Sequence, residues 1–270
     1  MIRVFARKTK WTPLRDKLAF YNDQSMYAVQ EYGNDMPVYV SCTFTWDKKK
    51  AVELARAWAM NFSNVQIGGP AFNDPGGEFV PCRFIKEGVT FTSRGCPKRC
   101  RGCLVPIREG NIRELKIQPG HIIQDNNLLA CSRGHIEKVF EMLAGQKRGI
   151  QFKGGLDIDY MQTWHVELLK QIKVSELWIA CDRPEDLPRL DKAADMLSDY
   201  SIEKKRCYVL VGKDGETQDR AQSRCIAVLH KGFLPYAQLY RGVDAGPSRG
   251  QWHDFCHFWV SPGQYRKKYG

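Results

Sequence analysis

Apolar and polar residues follow two rhythms along the chain, one of period two and one near 3.6, and their alternation draws the elements. Residues 38–46 are β-branched and aromatic and predict a strand. Asp47 follows as an N-cap, and Leu54, Ala55, Trp58 and Phe62 mark the apolar face of a helix ending near Phe62. Residues 64–67 predict a second strand closing on Gly68-Gly69-Pro70, so 37–73 reads as a β-α-β unit. From Gly88 onward, strands are predicted over 89–92, 122–124, 150–153, 177–181, 207–211 and 236–240. Helical faces separate most of them, among them Ile136, Val139 and Leu143, then Trp164 and Leu168, then Leu190 and Leu197, then Cys225 and Val228. Gly145 and Gly232 stand where helix C-caps are expected. Such alternation predicts a parallel sheet. Residues 104–118 have a poor helical pattern and are expected to be mostly loop.

Three stretches lie outside these rhythms. Residues 1–36 read as a basic lead-in, with 1–7 strand-like and Trp11-Thr12-Pro13 a turn, and residues 73–86, rich in Pro and Gly, as a linker. After a Gly/Pro/Ser break at 246–250, Trp252, Phe255, Phe258 and Trp259 recur at helical spacing, which is expected to be core packing. The domains expected are 1–86, 87–245 and 246–270.

At 270 residues and 43% apolar, the chain can bury a full core. No run approaches the roughly 20 apolar residues of a membrane span, and the first 30 residues hold no apolar segment of signal-peptide length. A cytoplasmic protein without membrane contact is expected, with its ten cysteines reduced. The net charge of +11 gathers in three places: +5 over 1–20, +5 over 94–116 and +3 over 266–268. Such clustering suits a polyanionic partner as well as a solvated surface.

The second basic stretch holds the most specific motif. Ser93-Arg94-Gly95-Cys96-Pro97 opens a C-x3-C-x2-C set of Cys96, Cys100 and Cys103 directly after a predicted strand. Three thiolates can hold three corners of a four-iron cluster and leave one iron open, whereas closed structural sites take four protein ligands. Spacing and flanks resemble the radical S-adenosylmethionine (SAM) enzymes, in the branch related to methylthiotransferases and cobalamin-associated members. The resemblance implies a [4Fe–4S] cluster that cleaves SAM to a 5′-deoxyadenosyl radical, with electrons from an external donor such as flavodoxin or ferredoxin. It also implies an α/β fold in which the six strands form an open (βα)6 partial TIM-like barrel, with the small N-terminal β-α-β extension beside it. That extension resembles the latter half of a cobalamin-binding domain. Cobalamin binding there needs an Asp-x-His-x-x-Gly loop, which this chain lacks, so no cobalamin is expected.

In parallel α/β barrels the chemistry lies at the carboxyl ends of strands. The resemblance therefore assigns Asp125, Asn126 and Asn127 to the SAM amino group, and Gly155 and Asp157 to ribose or methionine groups. Arg183, with Lys153 as competitor, is assigned to the methionine carboxylate, and Gly212 to the edge of the adenine. Asp159 is expected to cap the following helix. Many relatives carry an aromatic residue before the third cysteine where this chain has Gly102, so packing beneath it must come from elsewhere. The substrate is left open, with nucleic acid or another anion suggested by the basic rim. The alternative is a non-enzymatic zinc or iron–sulfur protein that binds nucleic acid, its fourth ligand being Cys82, Cys131 or His121.

Overall fold

The computed structural model describes residues 1–74, 77–241 and 249–270, so part of the 246–250 break and of the 73–86 linker lies outside the described residues. The chain divides into two compact units, one of residues 1–89 with 105–110 and the other of residues 90–104 with 111–270.

In the first unit, β1 (Ile2–Phe5), β2 (Ala19–Phe20), α1 (Ser25–Tyr32), β3 (Val38–Ser41), α2 (Lys48–Ala59) and β4 (Val65–Gly68) succeed one another. The strands form a parallel sheet in the order β2-β1-β3-β4. The expected β-α-β unit is therefore present as β3-α2-β4, and the lead-in adds two strands and a helix to it. Ile2, Val4, Val38 and Val40 are fully or almost fully buried with Ala51, Leu54 and Trp58 of α2, which is why the short run Ile2–Phe5 takes a central place in the sheet. Asp47 precedes α2 but caps it with no side-chain bond, because Arg7 Nε and an Arg7 terminal nitrogen each hold one of its oxygens at 2.7 Å.

The second part of the chain runs through β5 (Val89–Thr90), β6 (Ser93–Arg94), α3 (Val105–Arg108), β7 (Arg113–Glu114), β8 (Ile122–Ile123), α4 (Arg133–Ala144), β9 (Ile150–Phe152), α5 (Thr163–Lys170), β10 (Val174–Ala180), α6 (Leu187–Met196), β11 (Lys205–Val211), α7 (Gln218–His230), β12 (Leu234–Leu239), α8 (Arg249–Trp259) and α9 (Pro262–Tyr269). Six of these strands form one sheet in chain order, β5-β8-β9-β10-β11-β12. Its β8–β9, β9–β10, β10–β11 and β11–β12 pairings are parallel. Side chains alternate across a strand, and Leu177, Ile179, Cys207, Val209, Val211 and Ala237 share a core with the helices. Alternate positions present Trp178, Tyr208 and Tyr236 on the other face, where their rings meet at 4.3 to 5.8 Å. Trp252 and Trp259 are buried in the same core as the sheet with Phe255 and Phe258 partly buried against it, as their helical spacing predicted, and Tyr265 of α9 joins them. Within the stretch expected to be loop, β7 pairs antiparallel with β6.

Candidate functional site

The strand-end residues following β8 meet the start of the cysteine loop in order. Asp125 is 1% exposed. One of its carboxylate oxygens accepts the Thr92 backbone N–H at 2.7 Å, and the other accepts the Thr92 hydroxyl at 2.5 Å and the Ser93 hydroxyl at 2.8 Å. Burial pushes its pKa up against the pull of those bonds. Asn126 Oδ1 accepts the Gly95 N–H at 2.9 Å. Asn127 Nδ2 faces Cys96 Sγ at 3.5 Å and donates to Asp157 Oδ2 at 3.0 Å. Three consecutive side chains thus fasten the segment that leads into the first cysteine. Asp125 has both oxygens occupied by protein, so its role is to position that segment.

The close approach that makes this possible depends on Gly154, just after β9. A Cβ there would stand 2.0 Å from the Asp125 carbonyl oxygen, so no other residue fits without parting the two strand ends.

Asp157 also takes Lys98, from within the cysteine loop, at 3.0 and 2.9 Å on its two oxygens, and Asp159 takes the same ammonium at 2.8 Å. Burial works against that charge, but Asp159 and Asp157 outweigh it and hold the ammonium above its usual pKa. Asp159 pairs in addition with Arg189 at 3.3 Å, while the N-cap of α5 is Gln162, so Asp159 joins an ion network and not the expected cap. A carboxylate can only accept, so Asp157 fixes the Asn127 amide with its NH2 inward and its Oδ1 pointing elsewhere. That Oδ1 is buried and has no donor among the described residues, and Asn127 as a whole is 2% exposed.

The far end of the cysteine loop rests on β11 and β12. Lys213 donates to the Arg101 carbonyl at 2.6 Å. A Cβ on Gly102, at φ +80°, would stand 2.9 Å from the Tyr240 hydroxyl and 3.2 Å from Lys213 Cε. Tyr240 and Lys213 thus fill the space that an aromatic residue before Cys103 would need.

Of the remaining assigned residues, Gly155 lines one small cavity with Asp125 and Gly154, and the others have partners of their own. Gly155 has φ +94° and follows Gly154. Arg183 is 57% exposed on its side chain and pairs with Asp186 at 3.1 Å, which holds its charge, with Cys100 adding a smaller push. Lys153 pairs with Glu176 and lies 4.6 Å over the Trp178 ring. Gly212 is buried in a left-handed turn and donates its N–H to Glu216 Oε2 at 3.0 Å. Glu216 and Arg224 gave no sequence signal, yet they hold the ends of β10 and β11 together. Buried Arg224 donates to the carbonyls of Cys181, Asp182 and Leu210 and to Glu216 Oε1.

None of the ten cysteines is in a disulfide. Among the described residues no three His, Cys, Asp or Glu side chains converge as ligands of a single metal ion. Cysteines that ligate different irons of one cluster stand farther apart than ligands of one ion. Burial pushes the Cys131 thiol up to about 12. Three cysteines thus share one fastened loop, with the Asn127 amide N–H toward the Cys96 sulfur and a buried amide oxygen beside it that has no donor among the described residues. Comparison with protein-family models and with curated proteins finds no match for the chain.

Proposed function

We propose that the chain is a radical SAM enzyme, binding a [4Fe–4S] cluster through Cys96, Cys100 and Cys103 and acting on an anionic or nucleic-acid substrate. The observation that carries this reading is Asn127. Its NH2 faces Cys96 Sγ while its Oδ1 is a buried acceptor with no donor among the described residues, which suits the ammonium of a ligand seated beside the cysteine loop. Cys96, Cys100 and Cys103 would hold the cluster, and the chemistry it would supply there is the one-electron reduction that cleaves SAM.

Within that reading each residue has its task. Asn127 accepts the ammonium, Asp157 holds the Asn127 amide and Lys98 in place beside the ligand, Asn126 and Asp125 hold the loop that presents Cys96, and Gly155 lets the ligand approach the backbone after β9. Arg183 pairs with the carboxylate at the exposed rim, and Gly212 lies along the adenine. The six strands in chain order are read as an open (βα)6 partial barrel whose helix-free face holds the substrate. An external one-electron donor of the flavodoxin or ferredoxin kind and a cytoplasmic setting complete the proposal. No described helix is long and apolar enough to cross a membrane.

Anaerobic reconstitution with iron and sulfide tests it. The expected product is brown, with broad absorbance near ~400 nm, and releases 5′-deoxyadenosine from SAM once reduced. Replacing all three loop cysteines by alanine abolishes both. Stoichiometric zinc, no iron and no heat of SAM binding would overturn the proposal in favour of a structural metal.

A further inference from the structure

Beyond that reading, and independent of it, the first unit carries a second candidate site. The turn after β1 is built by its own threonines: Thr9 N–H donates to Thr12 Oγ1 at 3.2 Å, Trp11 N–H to Thr9 Oγ1 at 3.1 Å, and Thr12 Oγ1 to the Thr9 carbonyl at 2.8 Å. The Lys86 N–H donates to the Trp11 carbonyl at 2.8 Å, and the Tyr21 hydroxyl bonds the Pro13 carbonyl. On this rigid frame Lys10 and Lys86 lie 5.5 and 4.7 Å from the Trp11 ring centroid, and Lys8 lies 5.0 Å from that of Tyr21. Arg15 and Lys17 are exposed on the same short stretch. Among the described residues none of these five cations is in an ion pair. Of the neighbouring acids, Asp16 pairs with Arg3 and Asp47 with Arg7, while Glu87, next to Lys86 in the chain, is exposed.

We propose that this turn binds single-stranded nucleic acid. Five cations without acidic partners repel one another, and a run of phosphates relieves that repulsion. Trp11 and Tyr21 remain partly exposed; Lys10 and Lys86 lie over the Trp11 ring, while Tyr21 is stacked on Phe5 at 5.7 Å and has Lys8 over its ring. A base stacks on such a ring more strongly than an exposed ammonium does, and the displaced lysine then meets the adjacent phosphate. Stacking needs an unpaired base, because a duplex hides its ring faces. That preference separates a single strand from other polyanions.

Fluorescence anisotropy with the full chain tests this, using labelled RNA and DNA strands of about 16 nucleotides, the matching duplex and inorganic polyphosphate. With five phosphate contacts the logarithmic salt slope is expected to be about −3.5, a loss of about a hundredfold between 50 and 200 mM salt. The variant Lys8→Ala/Lys10→Ala/Lys86→Ala should flatten the slope to about −1.4. Trp11→Leu should weaken the single strand by about tenfold and leave the duplex unchanged. Binding to RNA, DNA or both supports the proposal. It is overturned by no binding at low salt, by a lysine variant that binds like the parent, or by duplex or polyphosphate bound as tightly as the single strand. A circular-dichroism melt checks folding. Should Trp11→Leu unfold the chain, the slope change in the lysine variant and the single-strand preference of the parent decide the matter.

Discussion

Replacing Asp125 separates a residue that positions the cysteine loop from one that touches a ligand. Its carboxylate accepts three hydrogen bonds from Thr92 and Ser93 while 1% exposed. Asp125→Ala strands the Thr92 N–H, a buried donor whose loss of partner costs about 1 to 3 kcal/mol, and leaves two hydroxyls to find new partners in a dry site. With the small cavity added, the expected loss is about 3 to 5 kcal/mol. Asp125→Asn keeps the shape. Its Oδ1 can accept the Thr92 N–H, and its NH2 can donate to the hydroxyl oxygens once they rotate, so the expected change is within about 1 kcal/mol. Urea unfolding followed by circular dichroism gives both values, and calorimetry with SAM on reconstituted protein gives the second readout. The asparagine variant should bind SAM like the parent. Equal destabilisation by Asn and Ala, an alanine variant within about 1 kcal/mol of the parent, or loss of SAM binding in a stable asparagine variant would refute the positioning role.

Other perturbations probe the rest of the frame. Burial pushes the imidazole of His165 down to about 4, and its Nδ1 accepts the Gln162 N–H at 3.0 Å. The unfolded chain therefore takes up this proton first, and the stabilisation present above about pH 6.5 is lost as pH falls to about 4. The span corresponds to at most about 3 kcal/mol, and His165→Gln should lose up to about that much less between pH 7 and pH 4 in the same urea assay. Gly154→Ala should part the ends of β8 and β9, lowering stability by about 2 kcal/mol or more and speeding the reaction of Cys96 with a thiol reagent as Asn127 moves away. Arg224→Met strands Glu216 and three carbonyls and should cost about 3 to 5 kcal/mol in thermal unfolding, with the Glu216→Gln/Arg224→Met pair less damaged than the sum of the single changes.

The strands and helices from β8 onward were legible because β-branched runs and helical faces alternate there, and the helices that follow β8, β9, β10, β11 and β12 all have a one-sided apolar stripe. The lead-in was not. Ile2–Phe5 is a four-residue apolar run between charged neighbours, and only tertiary pairing with β3 makes it a central strand. The β6–β7 ladder was missed because two residues on each side carry no period. At the site, spacing revealed the cysteines and the acidic strand ends, but not what each side chain faces. Asp125 looked like a ligand because carboxylates at strand ends often are, whereas Thr92 and Ser93, distant in sequence, claim it. Arg224 and Glu216 had no local pattern at all, since their partners are backbone carbonyls and an amide of other elements.

The cysteine loop is held at both ends by protein groups, Asp125 to Asn127 and Asp157 at one end and Lys213 at the other. In a zinc finger the metal supplies the folding energy, so removing it melts the chain. Here the fastening is amide, hydroxyl and ion pair, and the loop keeps its course whether or not its thiols are engaged. Under the proposed function, stripping the cluster with a chelator or an oxidant is therefore expected to leave the chain folded, with the same circular-dichroism spectrum before and after, so that damage and reloading could alternate without unfolding.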